Sequence, residues 1–386
     1  MRIKNARLAA GAVAAAAVLA AAPTLQAPAQ AGGTGAGKKG ASDVLVVGHR
    51  GASGYRPEHT LAAYELAIAL GADVIEPDLV STKDGVLVAR HENEIGGTTD
   101  VGSKPQFADR KRTTTIDGVS TTGWFTEDFT LAELRTLRAI ERIPQLRQEN
   151  TLYDGRYQVP TLDEVLDLAR RASKEHKRTI GVAPETKHPT YFDGLGLSLE
   201  EPLLATLKRF GLTKADSPVY VQSFETANLR ELSTRTQVPL VQLFGGNSVS
   251  PTGTVTPAQP WDAVVSGSGL TYDQMATPAG LREIARYADV VGPNKARVIP
   301  VVGGRLASPT ALVGDAHARG LQVFPYTFRN ENQFLPPALR RGTDLAAYGD
   351  AFSEYAAFYA AGVDAVFSDN PDTAVRARDE RVAAAG

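Results

Sequence analysis

From residue 43 onward, short apolar runs rich in β-branched residues alternate with longer amphipathic stretches, and a parallel sheet with helical crossovers accommodates this rhythm. Strands are expected near residues 44–47, 73–79, 86–89, 179–184, 219–224, 240–244, 290–291, 321–326 and 364–367. Helices are expected over 60–70, 161–173, 199–210, 226–234, 278–287, 309–319 and 347–361, the first closed by Gly71. About eight strand–helix units with right-handed crossovers close into an α/β (β/α)8 barrel, which takes roughly 250 residues. The rival is an open doubly wound sheet. No Gly-x-Gly-x-x-Gly turn follows an expected strand, so its nucleotide-binding forms lack support. The rhythm breaks over 95–159, a polar, Gly- and Thr-rich stretch with one helical piece near 131–137. It reads as an insertion after the second strand, and 245–259 reads as a long loop.

Residues 1–31 stand outside the rhythm. Arg2, Lys4 and Arg7 precede an alanine-rich apolar run over 8–22, and Ala29-Gln30-Ala31 fits a small-x-small cleavage site. The run is short for a bilayer span of about 20 residues. A cleaved secretory signal is therefore expected, followed by a flexible leader over 32–42 and the barrel over 43–380. The expected location is extracellular or cell-wall associated, without stable membrane insertion after cleavage. Cysteine is absent, which excludes disulfides, thiolate metal sites and a cysteine nucleophile. The 41 Lys+Arg against 43 Asp+Glu leave no basic excess to neutralise nucleic-acid phosphates.

A barrel builds its active site on the C-terminal rim. The first strand runs into His49-Arg50, the second into Glu76-Pro77-Asp78, the run 86–89 towards His91, and the third into Glu185-Thr186-Lys187. Alternation places Glu76 with Asp78, and Glu185 with Lys187, on common faces. Three carboxylates make an all-oxygen site, suited to Ca2+ or Mg2+ rather than Zn2+ or copper. His49 and His91 titrate near neutrality and suit a general acid and base, while Arg50 and Lys187 suit an anion, most naturally a phosphate. Together these groups fit phosphoryl transfer to an oxygen nucleophile. Each also has a plainer reading: a hydrogen-bonded structural histidine, a solvated edge at Glu76 and Asp78, a surface pair at Glu185 and Lys187. Against these, Val74, Ile75 and Leu79 mark a buried neighbourhood, where unpaired carboxylates are costly. His49, His59 and His91 also fall within 43 residues of one another.

The segment His49-Arg50-Gly51-Ala52-Ser53-Gly54-Tyr55-Arg56-Pro57-Glu58-His59-Thr60, followed by Gly71-Ala72-Asp73 and Glu76-Pro77-Asp78, resembles the glycerophosphodiester phosphodiesterase family. Thr82-Lys83-Asp84-Gly85, His91, Glu185-Thr186-Lys187, Gln222-Ser223-Phe224 and Phe367-Ser368-Asp369-Asn370-Pro371 extend the resemblance over about 43–372. Pro57-Glu58-His59-Thr60 and the run from Tyr326 to Glu331 are similar to its secreted and periplasmic branch. The resemblance implies a TIM barrel and cleavage of a small-molecule glycerophosphodiester to sn-glycerol 3-phosphate and an alcohol. It implies one divalent cation, Ca2+ before Mg2+, held by Glu76, Asp78 and Glu185. His49 and His91 would be the acid/base pair, Arg50 and Lys187 would bind the phosphate, and His59, where many members have Asn, would be a positioning residue. Trp124, Phe125 and Phe129 of the insertion either cover the site or pack a small subdomain. The nucleophile is water or the glycerol 2-hydroxyl, and the order in which the two histidines act stays open.

Two other functions compete. A barrel glycosidase also uses paired carboxylates, but it leaves His49, His91, Arg50 and Lys187 without roles. An exported phosphodiester-binding protein needs neither two histidines nor a metal triad.

Overall fold

A computed structural model describes residues 44–249 and 255–385. The expected signal segment and leader, and Asp43 itself, lie outside the described residues. Among the described residues, eight parallel strands follow one another around a ring. They are β1 Leu45–His49, β2 in two segments (Val74–Glu76 and Asp78–Ser81), β3 in two segments (Gly181–Val182 and Glu185–Thr186), and β4 Val221–Ser223. The remaining four are β5 Leu240–Phe244, β6 Val290–Pro293, β7 Gln322–Val323 and β8 Ala365–Ser368. Proline interrupts β2 at Pro77 and precedes the second segment of β3 at Pro184, where the missing N–H prevents a continuous ladder.

Adjacent strands pair in sequence order from β1 to β7. β8 pairs with β1 in the register Leu45↔Ala365 to Gly48↔Ser368. The ring closes through the bonds Asp364 N–H to Val323 C=O (2.9 Å), Phe367 N–H to Pro325 C=O (3.1 Å) and Phe328 N–H to Phe367 C=O (2.8 Å). This is the expected (β/α)8 barrel, with no open edge between its first and last strands.

Alternation along the strands builds two apolar layers. Val46, Ile75, Val182 and Val366 face the surrounding helices, and Val47, Val74, Ala183 and Phe367 pack in the lumen. Helix Leu162–Glu175 shows the matching pattern: Leu162, Val165, Leu166, Ala169 and Ala172 are buried on one face, and Thr161 with Glu164 forms a capping box. The helix expected over 347–361 begins at Ala351, because the Asp350 side chain caps it there. A closing helix, Pro371–Ala385, was not anticipated; Pro371 opens it, where a missing N–H costs nothing. No helix among the described residues is long and apolar enough to cross a membrane.

Between β2 and β3 the chain first makes a short strand, Leu87–Ala89, antiparallel to Asp78–Ser81. It then holds a feature absent from the sequence expectation, a hairpin of Arg112–Ile116 and Val119–Gly123. Asp117 and Gly118 turn it with φ of 47° and 78°, the left-handed pair that a two-residue hairpin needs. The insertion's aromatic residues pack the insertion itself. Phe125 and Phe129 are buried, Phe129 meets Phe107 edge-on at 5.0 Å, and the Trp124 indole donates to the Phe107 carbonyl at 2.7 Å.

Candidate active site

The period of two that fills the lumen also builds the mouth. Two residues beyond Val47 comes His49, beyond Val74 comes Glu76, beyond Ala183 comes Glu185 and beyond Phe367 comes Asp369. Each polar side chain thus continues the inward face of an apolar strand at its C-terminal end. A cavity of about 510 Å3 opens there, lined by His49, Arg50, Glu76, His91 and Glu185, with Phe224, Tyr326 and Phe334 among its apolar walls. Asp78 and Lys187, the other two expected site residues, stand behind this surface and are almost fully buried. Lys187 also borders an adjoining cavity of about 260 Å3, which shares Glu185 and Phe224 with the first.

One ligand oxygen from each of Glu76, Asp78 and Glu185 lies within 4.8 Å of the others. Burial and the neighbouring Asp78 and Glu185 push the Glu76 carboxyl well above its usual range. Burial also pushes Glu185 up to about 8, with Lys187 opposing and Asp78 reinforcing the rise. Against its own burial, Asp78 is held well below by His59 and Lys187. Even with Arg50 and Lys187 beside them, Glu76 and Glu185 resist ionisation, a cost that a further cation would relieve. Asp78 Oδ1 is buried and meets no hydrogen-bond donor, so a cation would complete it. A donor set of hard oxygens fits a divalent ion such as Ca2+ or Mg2+.

The surrounding groups orient this triad. The Arg50 N–H donates to Glu76 Oε2 at 2.8 Å, an approach made possible by left-handed backbone at Arg50 (φ 59°). Gly51 follows with φ 87°, and a Cβ there would fall 2.6 Å from the Ala63 backbone, so the turn into helix Leu61–Ala69 requires glycine. His59 Nε2 lies 2.9 Å from Asp78 Oδ2, and its Nδ1 lies 2.7 Å from the Tyr64 hydroxyl, which makes it a support for the triad. Gln222 donates to Glu76 Oε1 at 3.1 Å. Lys187 Nζ sits 2.9 Å from Glu185 Oε1 and 3.4 Å from His91 Nε2. Arg50 reaches Glu58 at 3.1 Å, and Glu58 receives Arg142 at 2.6 Å.

The two histidines have separate partners. His49 Nδ1 is 2.5 Å from Asp369 Oδ1, while Asp369 Oδ2 receives Arg147 at 2.6 Å and Arg329 at 2.8 Å. Burial and Arg50 lower the His49 pKa to about 4, so the ring is neutral near pH 7. Asp369 is held well below its usual range, because Arg329 and Arg147 outweigh its burial. An ionised Asp369 accepts the Nδ1 proton and leaves Nε2 with a free lone pair. His91 Nδ1 lies 2.6 Å from Glu92 Oε1. Burial, then Arg50 and Lys187, push His91 well below its usual value.

Sequence reasoning did not assign Asp369, Arg147, Arg329 or Glu92 to the site. Asp369 lies within a motif quoted for the family resemblance, yet nothing local marks it as a partner of a histidine 320 residues away. Arg147 sits in the insertion, which carried no periodic signal.

The profile of the glycerophosphoryl diester phosphodiesterase family matches residues 49–373. A glycerophosphodiester phosphodiesterase of Arabidopsis thaliana is 36% identical over 336 residues, covering 84% of this chain and 82% of its own length. One from Haemophilus influenzae is 30% identical over 353 residues, covering 86% of this chain and 89% of its own. An Oleispira antarctica phosphodiesterase, solved in complex with the product sn-glycerol-3-phosphate, shares the fold with a TM-score of 0.52 at 20% identity, covering 88% of this chain and 98% of its own. A family profile matching residues 49–373, two relatives matched over most of their length and a buried carboxylate triad agree: the chain belongs to the glycerophosphoryl diester phosphodiesterase family.

Proposed function

We propose that this chain hydrolyses glycerophosphodiesters to sn-glycerol 3-phosphate and an alcohol, with His49 and His91 dividing the two proton transfers. The observation that carries the reading is the single cavity lined by both histidines, Arg50 and two members of the buried carboxylate triad. Glu76, Asp78 and Glu185 would hold one divalent cation, Ca2+ before Mg2+. When bound, the ion supplies positive charge against the phosphate oxygens. Arg50 and Lys187 add fixed positive charge on the same side, and the Arg50 Nε has no hydrogen-bond partner, which leaves a donor for a phosphate oxygen. One histidine removes the proton of the nucleophile as its oxygen bonds to phosphorus. The other protonates the departing alkoxide as the second P–O bond breaks.

Export belongs to the same proposal. The positive start, the alanine-rich run and the Ala29-Gln30-Ala31 site support a signal peptide over 1–31, a leader over 32–42 and a catalytic barrel over 43–380. The Pro57-Glu58-His59-Thr60 spelling supports the secreted branch. Product analysis on glycerophosphocholine and glycerophosphoethanolamine, with Ca2+, with Mg2+ and in excess chelator, tests the chemistry. The expected result is sn-glycerol 3-phosphate released in a cation-dependent manner. Full turnover in chelator with no metal bound would overturn the triad's role, and release of a phosphorylated head group would overturn the bond assignment.

A further inference from the structure

Beyond His91 runs a chain of charged side chains that the reaction as described does not use. Glu92 Oε1 lies 2.6 Å from His91 Nδ1, and its other oxygen lies 3.3 Å from His188 Nε2. His188 Nδ1 in turn lies 2.5 Å from Asp117 Oδ2. Asp117 is the first residue of the turn at the tip of the insertion's hairpin. His188 directly follows Lys187 and precedes the short helix Pro189–Gly194, in left-handed backbone with φ 51° and no side-chain capping bond. A non-glycine residue there costs about 1–2 kcal/mol, so the side-chain contacts must outweigh the backbone preference.

We propose that His188 and Asp117 are positioning residues for His91: together they fix Glu92, and through Glu92 the orientation and tautomer of the His91 ring. The inference rests on the reading of His91 as a proton-transfer group. Both nitrogens of His188 face carboxylates, so its protonated form satisfies Asp117 and Glu92 at once. Burial opposes that charge, yet the bonds to Asp117 and Glu92 raise the His188 pKa to about 9. Glu185, Lys187 and Glu225 are the other charged groups bordering this cluster. Glu92 is held well below its usual range, since His188 and His91 outweigh its burial. An ionised Glu92 with one oxygen committed to His188 keeps the other 2.6 Å from His91 Nδ1, an ion-pair contact that favours the proton there and leaves Nε2, 3.4 Å from Lys187 Nζ, unprotonated. The hairpin tip thereby gains a part in catalysis without touching substrate.

The test compares His188→Ala, Asp117→Asn and His188→Arg with His91→Ala, using glycerophosphocholine and a p-nitrophenyl ester of glycerol phosphate. His188→Ala and Asp117→Asn should each lower kcat on glycerophosphocholine about 10-fold with KM nearly unchanged. Both should shift the ratio of activities on the two substrates in the direction that His91→Ala shifts it. His188→Arg, which keeps a cation between the two carboxylates, should restore most of the loss. Adding His188→Ala to His91→Ala should cost almost nothing further, because the effect passes through His91. Asp117→Asn is nearly isosteric and partly exposed, so it reports even where His188→Ala folds poorly. Unchanged kcat in Asp117→Asn and His188→Ala, or a loss that multiplies in the His91→Ala background, would overturn the inference. Normal kcat in His91→Ala itself would overturn the parent reading, and this inference with it.

Discussion

His49 rests on Asp369, which is clamped from the far side by Arg147 and Arg329, whereas His91 rests on Glu92, whose other oxygen goes to His188. The side chains of the first pair are 8% and 2% exposed, and those of the second 26% and 39%. Asp369, paired with two guanidinium groups, orients His49, and its charge and hydrogen bond raise the basicity of the ring. Burial and Arg50 still keep the ring neutral. Glu92 is held by a histidine on a loop and, beyond it, by a hairpin tip. One histidine is therefore set by a buried, doubly clamped carboxylate, one of whose clamps (Arg147) comes from the insertion, and the other by a partly exposed carboxylate held through His188 by the hairpin tip. The Asp369 side should be rigid and costly to disturb, and the Glu92 side should be tunable.

The largest effects belong to the histidines themselves. His49→Ala and His91→Ala should each lower kcat by about 10²- to 10⁴-fold while changing substrate affinity much less. A p-nitrophenyl leaving group needs no protonation and should rescue only the variant that lost the acid. Equal rescue of both would break the division of labour. Stability should separate the two sides next. Arg147→Met removes a buried partner of both Glu331 and Asp369, each at 2.6 Å, and should cost about 3–5 kcal/mol by denaturant titration. Glu92→Gln, at a much more exposed pair, should cost about 1 kcal/mol or less. Comparable losses would show that the Glu92 side is as rigid as the Asp369 side. Activity should rank in the same order. Asp369→Asn lets an amide N–H₂ face His49 Nδ1, which favours the wrong tautomer, and should lower kcat about 10²-fold. Glu92→Gln should lower it about 10-fold.

The same contrast sets how much the amino-acid sequence reveals. His49, Glu76, Asp78 and Glu185 stand out because each follows an apolar strand, where a period of two and the cost of buried charge act within a few residues. Pro77 breaks β2 without disturbing that alternation, so Glu76 and Asp78 still share a site. The supports were not legible, because they are long-range. Arg147 and Asp369 are 222 residues apart and meet only once the ring has closed. The hairpin Arg112–Ile116 and Val119–Gly123 escaped notice because its threonine-rich strands are largely exposed and carry no apolar alternation. Its one local mark was Asp117-Gly118, a strong turn signal whose flanks lacked the usual hydrophobic pattern. In 245–259, expected as a loop, the pairing of Ser248–Val249 with Val255–Thr256 is likewise too short to leave a periodic trace.

The smallest expected effect concerns pH, and it distinguishes His188 from His49 by sign. His188 has its pKa raised from 6.5 to about 9, so folding favours its protonated form. That contribution is fully present below about pH 6.5 and is lost as pH rises through about 9. His49 is the reverse case: its pKa is lowered to about 4, so the folded state favours the neutral ring. Its contribution is present above about pH 6.5 and is lost as pH falls through about 4. Thermal melts of the parent chain, His188→Gln and His49→Gln across pH 4 to 10 read both. The Tm gap between parent and His188→Gln should be widest near pH 6 and close by pH 10, a change on the order of a few degrees. The gap for His49→Gln should instead narrow towards pH 4. A His188→Gln gap that stayed constant across the range would mean that the contacts to Asp117 and Glu92 stabilise the fold without holding a proton. The Glu92 side would then be packed like the Asp369 side rather than set by charge.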